Sequence, residues 1–308
     1  MVYVVALGGN AIAGPGLRVD YDSMLAAIKS AMRALLPLIV SRDLRLVVTH
    51  GNGPHVGLLA EALLRAGDHG LPQPLHVLTA MTQAWIGSMI KHVGEVLTRE
   101  RGLEARFEVV ATRVLVEVGP NTPMKPVGRL YTREEAEALA SRLGWVMVED
   151  PRGGWRRGVP SPPPLKVLDV DTVTTLLEGG FHVVACGGGG IPVVENDGVY
   201  RPVEAVVDKD LCSSKLAVAL DADLLAILTD VKGVAVNYRK PGERWLRELK
   251  VDEARRLLER GEFPPGSMGP KVEAAIQYAE ATGRRAVIGS LKEAYRVLRL
   301  ESGTIIEP

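Results

Sequence analysis

Cysteine is nearly absent from the 308-residue chain. The two that occur, Cys186 and Cys212, do not make a disulfide framework. No C-x-x-C or H-E-x-x-H spacing occurs, which argues against a structural zinc or a metalloprotease centre. An excess of one charge sign is also missing: 37 Lys+Arg stand against 37 Asp+Glu. The broad basic footprint of a dedicated nucleic-acid binder is therefore lacking, although a local site for a small anion remains compatible with zero net charge. The longest apolar runs fall far short of the roughly 18 residues that a membrane span needs. The opening MVYVVALGG has no basic leader and reads as a buried strand rather than a signal peptide. A cytoplasmic, reducing location is expected, with neither nucleic acid nor membrane as a partner.

What the chain has is glycine, 33 residues of it, clustered at the ends of short apolar runs. Val2–Leu7 ends in Gly8-Gly9-Asn10, Arg45–Thr49 in His50-Gly51-Asn52-Gly53, and Phe181–Cys186 in Gly187–Gly190. These runs read as strands buried on both faces. Helical spacing occupies Asp20–Arg42, with a cap at Asp20 or Asp22 and a kink or stop at Pro37. A helix follows Pro54, a longer one spans Leu75–Arg101, and Val109–Val116 reads as one strand. Asn196-Asp197-Gly198 signals a hairpin. Helices at Asp208–Leu220, Val251–Arg260 and Pro270–Thr282 alternate with strands at Leu224–Leu228, Arg285–Ile288 and near Thr304. The alternation predicts an α/β fold with a mostly parallel sheet covered on both faces. Residues 118–164, rich in proline, interrupt it and read as a small inserted subdomain or lid.

In an open parallel sheet the carboxyl ends of the strands form the ligand crevice. Glycines there let backbone amides approach an anion, and a following helix adds a favourable dipole. GGNA and GNGP are not the G-x-G-x-x-G fingerprint, and GGGG lacks the Lys-Ser/Thr of a P-loop. Among the cations, Lys209 opens a helix beside Asp210, which is placed to orient lysine ammonium groups. Lys271 follows Gly266-Ser267-Met268-Gly269-Pro270 in a helix's first turn, where a cation is disfavoured unless an anion is present. Asp230 ends a strand, placed to touch a ribose or an ion or to cap a turn, and Tyr238 either packs near a base or is structural.

Together these stretches resemble the amino-acid kinase superfamily and, within it, the carbamate kinases. The matching segments are VVALGGNA (4–11), HGNGPHVG (50–57), PMKPVGRLYT (123–132), ACGGGGIPV (185–193), VVDKDLCSSKLA (206–217), LTDVKGV (228–234) and GSMGPKVEAA (266–275). Ala6-Leu7 precede the first Gly-Gly, where many relatives carry a lysine. The resemblance implies one three-layer αβα amino-acid kinase domain over residues 1–308, with 118–164 as a protruding subdomain. It puts the acceptor over the N-terminal half and ATP over residues 181–308. Lys209 and Lys271 then bracket the transferred phosphoryl group, Asp210 organises them, and Lys125 reaches the phosphate from the subdomain. Gly8, Gly9, Asn10, Gly51, Asn52 and Gly53 fall on the acceptor and phosphate loops. Gly187, Gly188, Thr229, Asp230, Tyr238 and Met268 fall on the ATP side.

The implied reaction is ATP plus carbamate giving ADP plus carbamoyl phosphate, reversibly, with Mg²⁺ carried by the nucleotide, no protein metal site, and a homodimeric enzyme. Two positions depart from the family: His55 stands where Gln is usual, and Arg129-Leu130 where Pro-Phe is usual. Carbamate is already an anionic nucleophile, so positioning and charge neutralisation suffice without a general base. Two other readings share this fold. One is a kinase of another small carboxylic or amino acid. The other is a nucleotide-binding regulator without catalysis.

Overall fold

The computed structural model describes residues 1–13, 18–65, 73–150, 153–264 and 266–308. Its centre is an eight-stranded sheet ordered Glu248–Lys250, Thr304–Glu307, Ala286–Ser290, Leu224–Thr229, Val2–Leu7, Arg45–His50, His182–Val184 and Phe107–Val109. All neighbours pair in parallel except Ala286–Ser290 with Thr304–Glu307, so two edge strands run against the other six. The first strand sits in the middle because its side chains are apolar on both faces. Val4 and Ala6 join one core with helices Val170–Glu178, Lys209–Ala219 and Met268–Thr282. Val5 and Leu7 join the opposite core with helices Tyr21–Ile39, Leu75–Arg99 and Ala294–Leu298. The result is the expected three-layer αβα arrangement. No helix among the described residues is long and apolar enough to cross a membrane.

Several local expectations are met in detail. Asp20 caps Tyr21–Ile39 by accepting from the Ser23 amide at 3.0 Å. Asp197 and Gly198 both adopt positive φ, as a tight two-residue hairpin turn requires, and join Ile191–Asn196 to Val199–Pro202. Two differ. Pro37 lies in the last turn, and the helix runs two residues past it to Ile39. Val109–Val116 is not one strand: Phe107–Val109 belongs to the central sheet and Arg113–Leu115 to a four-stranded sheet. The chain crosses between them at Thr112, where Gln83 receives the Thr112 amide on Oε1 at 2.8 Å. A buried glutamine supplies hydrogen bonds that a continuous ladder would have supplied, which an apolar run does not reveal.

Within residues 118–164, Met124–Tyr131, Trp155–Pro160 and Met147–Glu149 form a separate three-stranded antiparallel sheet, accompanied by helix Arg133–Leu143. A capping box at Thr132 and Glu135 starts that helix, and Gly144 in the left-handed region ends it.

His182 ties the sheet to its covering helix. Its Nδ1 accepts from the Leu46 amide at 3.0 Å, and its Nε2 donates to the Ile39 carbonyl at 3.0 Å. Burial pushes its pKa down from 6.5 to about 4; the Ile39 carbonyl opposes this, and the Arg45 charge adds to it. The contact from Leu46 needs the neutral ring, because a protonated Nδ1 cannot accept; the Nε2 contact survives protonation. The unfolded chain takes up the proton below about pH 6.5 and the folded chain only near pH 4, so stability is lost as pH falls through that window. We expect His182→Gln to lose about 1–3 kcal/mol at pH 7 and to show a shallower decline of the urea midpoint between pH 6.5 and 4. A variant with the wild-type pH slope would contradict this role.

Candidate active site

The strand ends Leu7, His50, Val184 and Thr229 lie along one edge of the central sheet, and the glycine loops emerge there. The Gly8 amide donates to Leu228 O at 3.1 Å and the Gly51 amide to Leu7 O at 3.2 Å. These two amides extend the parallel ladder. Gly8 and Gly51 therefore serve by close approach. A Cβ on Gly51 would lie 3.4 Å from the Gly9 nitrogen and 3.7 Å from Lys209 Cδ. Asn10 lies in the 3₁₀ turn Gly9–Ala11. Gly53 opens the helix Gly53–Arg65, whose first amides have no acceptor within the helix. Asn52 is buried, with its Nδ2 donating to Thr82 Oγ1 at 2.9 Å.

The charged centre sits where helices Lys209–Ala219 and Met268–Thr282 begin. Asp210 accepts the Lys209 ammonium on one oxygen and the Lys271 ammonium on the other, the second at 2.9 Å. Lys271 also donates to Ser267 O at 3.2 Å. Asp210 is buried. Burial alone would raise its pKa, but the Lys209 and Lys271 charges outweigh that and hold it below the ordinary carboxylate value. Burial pushes the Lys209 pKa down against the pull of Asp210, and the Lys271 charge adds to the fall. Two ammonium groups thus share one carboxylate at the N-terminal ends of two helices, where cations gain nothing from the dipole. The arrangement is complemented by an incoming anion.

Asp208 caps the first of these helices: its Oδ1 accepts the Asp210 amide at 2.9 Å. Its Oδ2 accepts Lys125 Nζ at 3.1 Å, which brings the lysine of the three-stranded sheet to the same place. The four candidate charged residues therefore converge from sequence positions as far apart as 125 and 271.

A cavity of about 620 Å³ opens beside this centre. Gly8, Gly9, Thr229, Asp230, Tyr238, Met268 and Lys271 line it, which joins candidates from both halves. Its volume suits a nucleotide-sized ligand. Tyr238 stacks edge-on to Trp245 at 5.9 Å between ring centroids. Arg239, Phe263 and Lys292 also line the cavity and were not singled out by the sequence.

Gly187 and Gly188, expected on the ATP side, are packed against a neighbouring glycine loop. They are not among the residues that line this cavity; they lie against the loop that carries His50 and Asn52. A Cβ on Gly187 would fall 2.5 Å from His50 Nε2, and one on Gly188 2.1 Å from Asn52 Nδ2. Gly188 also has φ +65°, so glycine is needed there on two counts.

The residues that reasoning missed are mostly buried polar ones. His50 is buried beside Lys209, and burial, opposed by the Gly51 carbonyl, pushes its pKa down to about 4, which leaves it neutral. Gln83 donates to Gly187 O at 3.1 Å and holds the glycine turn. The available signal was Gln83 beside Thr79 and Thr82 on the largely apolar inward face of a long helix. His55 is buried edge-on to Trp85 at 5.4 Å between ring centroids. Arg129 pairs with Glu61 and Glu135 at 2.9 and 2.8 Å, so that departure makes a surface ion-pair cluster. The two cysteines are buried free thiols. Among the described residues no group of three or more His, Cys, Asp or Glu side chains is arranged to hold a metal ion.

The sequence profile of the amino acid kinase family matches residues 1–290. A carbamate kinase from Pyrococcus furiosus is 43% identical over 99% of this chain and 98% of its own length. One from Thermococcus kodakarensis is 44% identical over 98% and 97%. The structure of a carbamate kinase from Giardia lamblia bound to AMP-PNP superposes with a TM-score of 0.89 at 38% identity, covering 99% of this chain and 98% of that one. A solved structure from Aeropyrum pernix K1 gives a TM-score of 0.94 at 54% identity, covering 100% and 99%. Fold, charged centre and full-length likeness agree, and the chain belongs to the amino acid kinase family, within its carbamate kinase branch.

Proposed function

We propose that the protein catalyses reversible phosphoryl transfer between ATP and carbamate, giving ADP and carbamoyl phosphate. The observation that carries this is the Lys209–Asp210–Lys271 bridge at the mouth of the 620 Å³ cavity. The nucleotide lies in that cavity, with its phosphates toward Gly8, Gly9 and Lys271. The carbamate side is built by Gly51, Asn52 and Gly53, and Lys125 approaches from the three-stranded sheet. Lys209 and Lys271 flank the moving phosphoryl group and offset charge that spreads over its oxygens in the transition state. Asp210 keeps their spacing fixed, so no reorganisation is needed during the reaction.

Carbamate supplies its own nucleophilic oxygen. The neutral state of His50, beside Lys209, is consistent with a site that moves no proton. Mg²⁺ belongs to the substrate here, bound by the nucleotide phosphates. Both Asp208 and Asp210 already spend their oxygens on lysines and a capped amide, which fits a metal that arrives with its own ligands.

The direct test is ATP formation from ADP and carbamoyl phosphate, with acetyl phosphate and acetylglutamyl phosphate as controls. Turnover with carbamoyl phosphate alone supports the reading. Preference for another acyl phosphate would make the chain a kinase of a different small acid, and nucleotide binding without turnover would make it a regulator.

Lys271→Ala should lower kcat by roughly 10²–10³, the scale for removing one preorganised charge donor, while the thermal unfolding midpoint stays near wild type. Near-normal turnover would remove Lys271 from the reaction. Asp210→Asn should lower kcat more than it weakens ADP binding, because the cavity wall is untouched. It should also make activity fall at lower pH on the alkaline side, since Lys209 loses the carboxylate that opposes its desolvation. A pH–rate profile and ADP titration of the purified variant check both. An unchanged kcat with weaker ADP binding would reassign Asp210 to nucleotide binding.

A further inference from the structure

We propose that Asp208 is a positioning residue for phosphoryl transfer: its carboxylate holds the Lys125 ammonium at the start of the helix that bears Lys209 and Asp210. The proposal rests on the carbamate kinase reading and adds to it a residue that acts through Lys125.

The two oxygens of Asp208 have separate tasks. Oδ1 caps the helix through the Asp210 amide, and Oδ2 binds Lys125, 83 residues away in sequence. The three-stranded sheet is docked to the segment that leads into this helix at further points. Val206 N donates to Pro160 O at 2.9 Å, and Arg157 pairs with Glu204 at 2.5 Å. Lys125 lies opposite Val159 in the adjoining strand, and Ser161 N donates to Pro123 O at 2.7 Å beside it. The backbone around Lys125 is thus set by pairing, and Pro126 restricts it further. What pairing leaves free is the long side chain.

The Asp208–Lys125 pair is half open, with side-chain exposures of 17% and 38%. An exposed ion pair adds little to stability. Its effect here is on place: it confines a flexible ammonium beside two others. Three ammonium groups meet two carboxylates, which leaves the centre short of one negative charge. A phosphoryl group supplies it and offers Lys125 a second anionic partner.

Asn is as good an N-cap as Asp, so Asp208→Asn removes the charge and keeps the cap. At saturating ADP we expect Asp208→Asn to lower kcat/KM for carbamoyl phosphate by roughly 10–10²-fold, the scale of a misplaced reacting group, with KM for ADP changed less than about twofold. In a Lys125→Met background the same substitution should add less than about twofold, because the partner it positions is gone. Asp208→Ser, which also caps without charge, should reproduce the defect and serves if the Asn variant does not fold. Wild-type constants in the capped variants would overturn the proposal. So would a loss of equal size with and without Lys125. An inactive wild-type protein would instead defeat the carbamate kinase reading itself, which keeps the two failures apart.

Discussion

One buried carboxylate shared by two lysines is the constraint on which the site depends. Lys209 and Lys271 open two different helices, and Asp210 is what makes their proximity tolerable. A buried ion pair is a poor source of stability, because desolvation offsets most of its attraction. Here it also places cations at helix N-termini, against the backbone dipole. The parts of the fold that bear on these residues serve to enforce that arrangement. Helices Lys209–Ala219 and Met268–Thr282 belong to the same apolar core on one face of the sheet. The Lys209 stem runs beside Gly51, next to the first glycine loop. A centre with surplus positive charge is costly when empty and favourable when a phosphoryl group arrives. That is the pattern expected where local rules are broken for function.

The loops that the proposed function gives to carbamate are built by different means. Carbamate is too small to offer remote contacts, so the protein has little binding energy to draw on beyond the reacting atoms. Rigid backbone answers this. The loops at Gly51–Gly53 and Gly187–Gly190 interlock so closely that Gly188 admits no Cβ. Thr82 and Gln83, adjacent on one helix, hold one loop each: Thr82 receives Asn52, and Gln83 donates to Gly187 O. The helix that carries them is itself anchored at its start, where the Leu75 amide donates to Glu204 at 2.9 Å. Glu204 in turn pairs with Arg157 of the three-stranded sheet. The two glycine loops, the lysine-bearing sheet and the 204–208 segment are therefore connected through a chain of hydrogen bonds and an ion pair.

Much of this was legible from sequence, for identifiable reasons. Short apolar runs ending in glycine gave the strands and the functional edge of the sheet, because burial on both faces leaves no polar alternation to confuse the reading. Lys209, Asp210 and Lys271 stood out through local context: a charge at a helix start is visible within a few residues. The features that stayed hidden share the opposite property. Val109–Val116 changes sheets at Thr112 under the control of Gln83, which lies 29 residues earlier. The close neighbours of Gly187 and Gly188, His50 and Asn52, lie more than a hundred residues earlier, and no local motif announces them. The second task of Asp208 was invisible because a capping aspartate looks the same whether or not a lysine binds its other oxygen.

That last ambiguity bears on how such a site is assembled. A cap is a local device, satisfied by one oxygen and one amide. An aspartate has a second oxygen, and at a helix start it faces the place where anions bind. At residue 208 that oxygen is used to gather a cation from another sheet. The same carboxylate thus sets where the helix begins and where the third lysine waits. Because Asp208 lies two residues before Asp210, the carboxylate that holds Lys125 and the carboxylate that joins Lys209 to Lys271 share one short stretch of backbone. The spacing of the two carboxylates is therefore fixed by the helix start itself, and each lysine that comes from another element is placed relative to it.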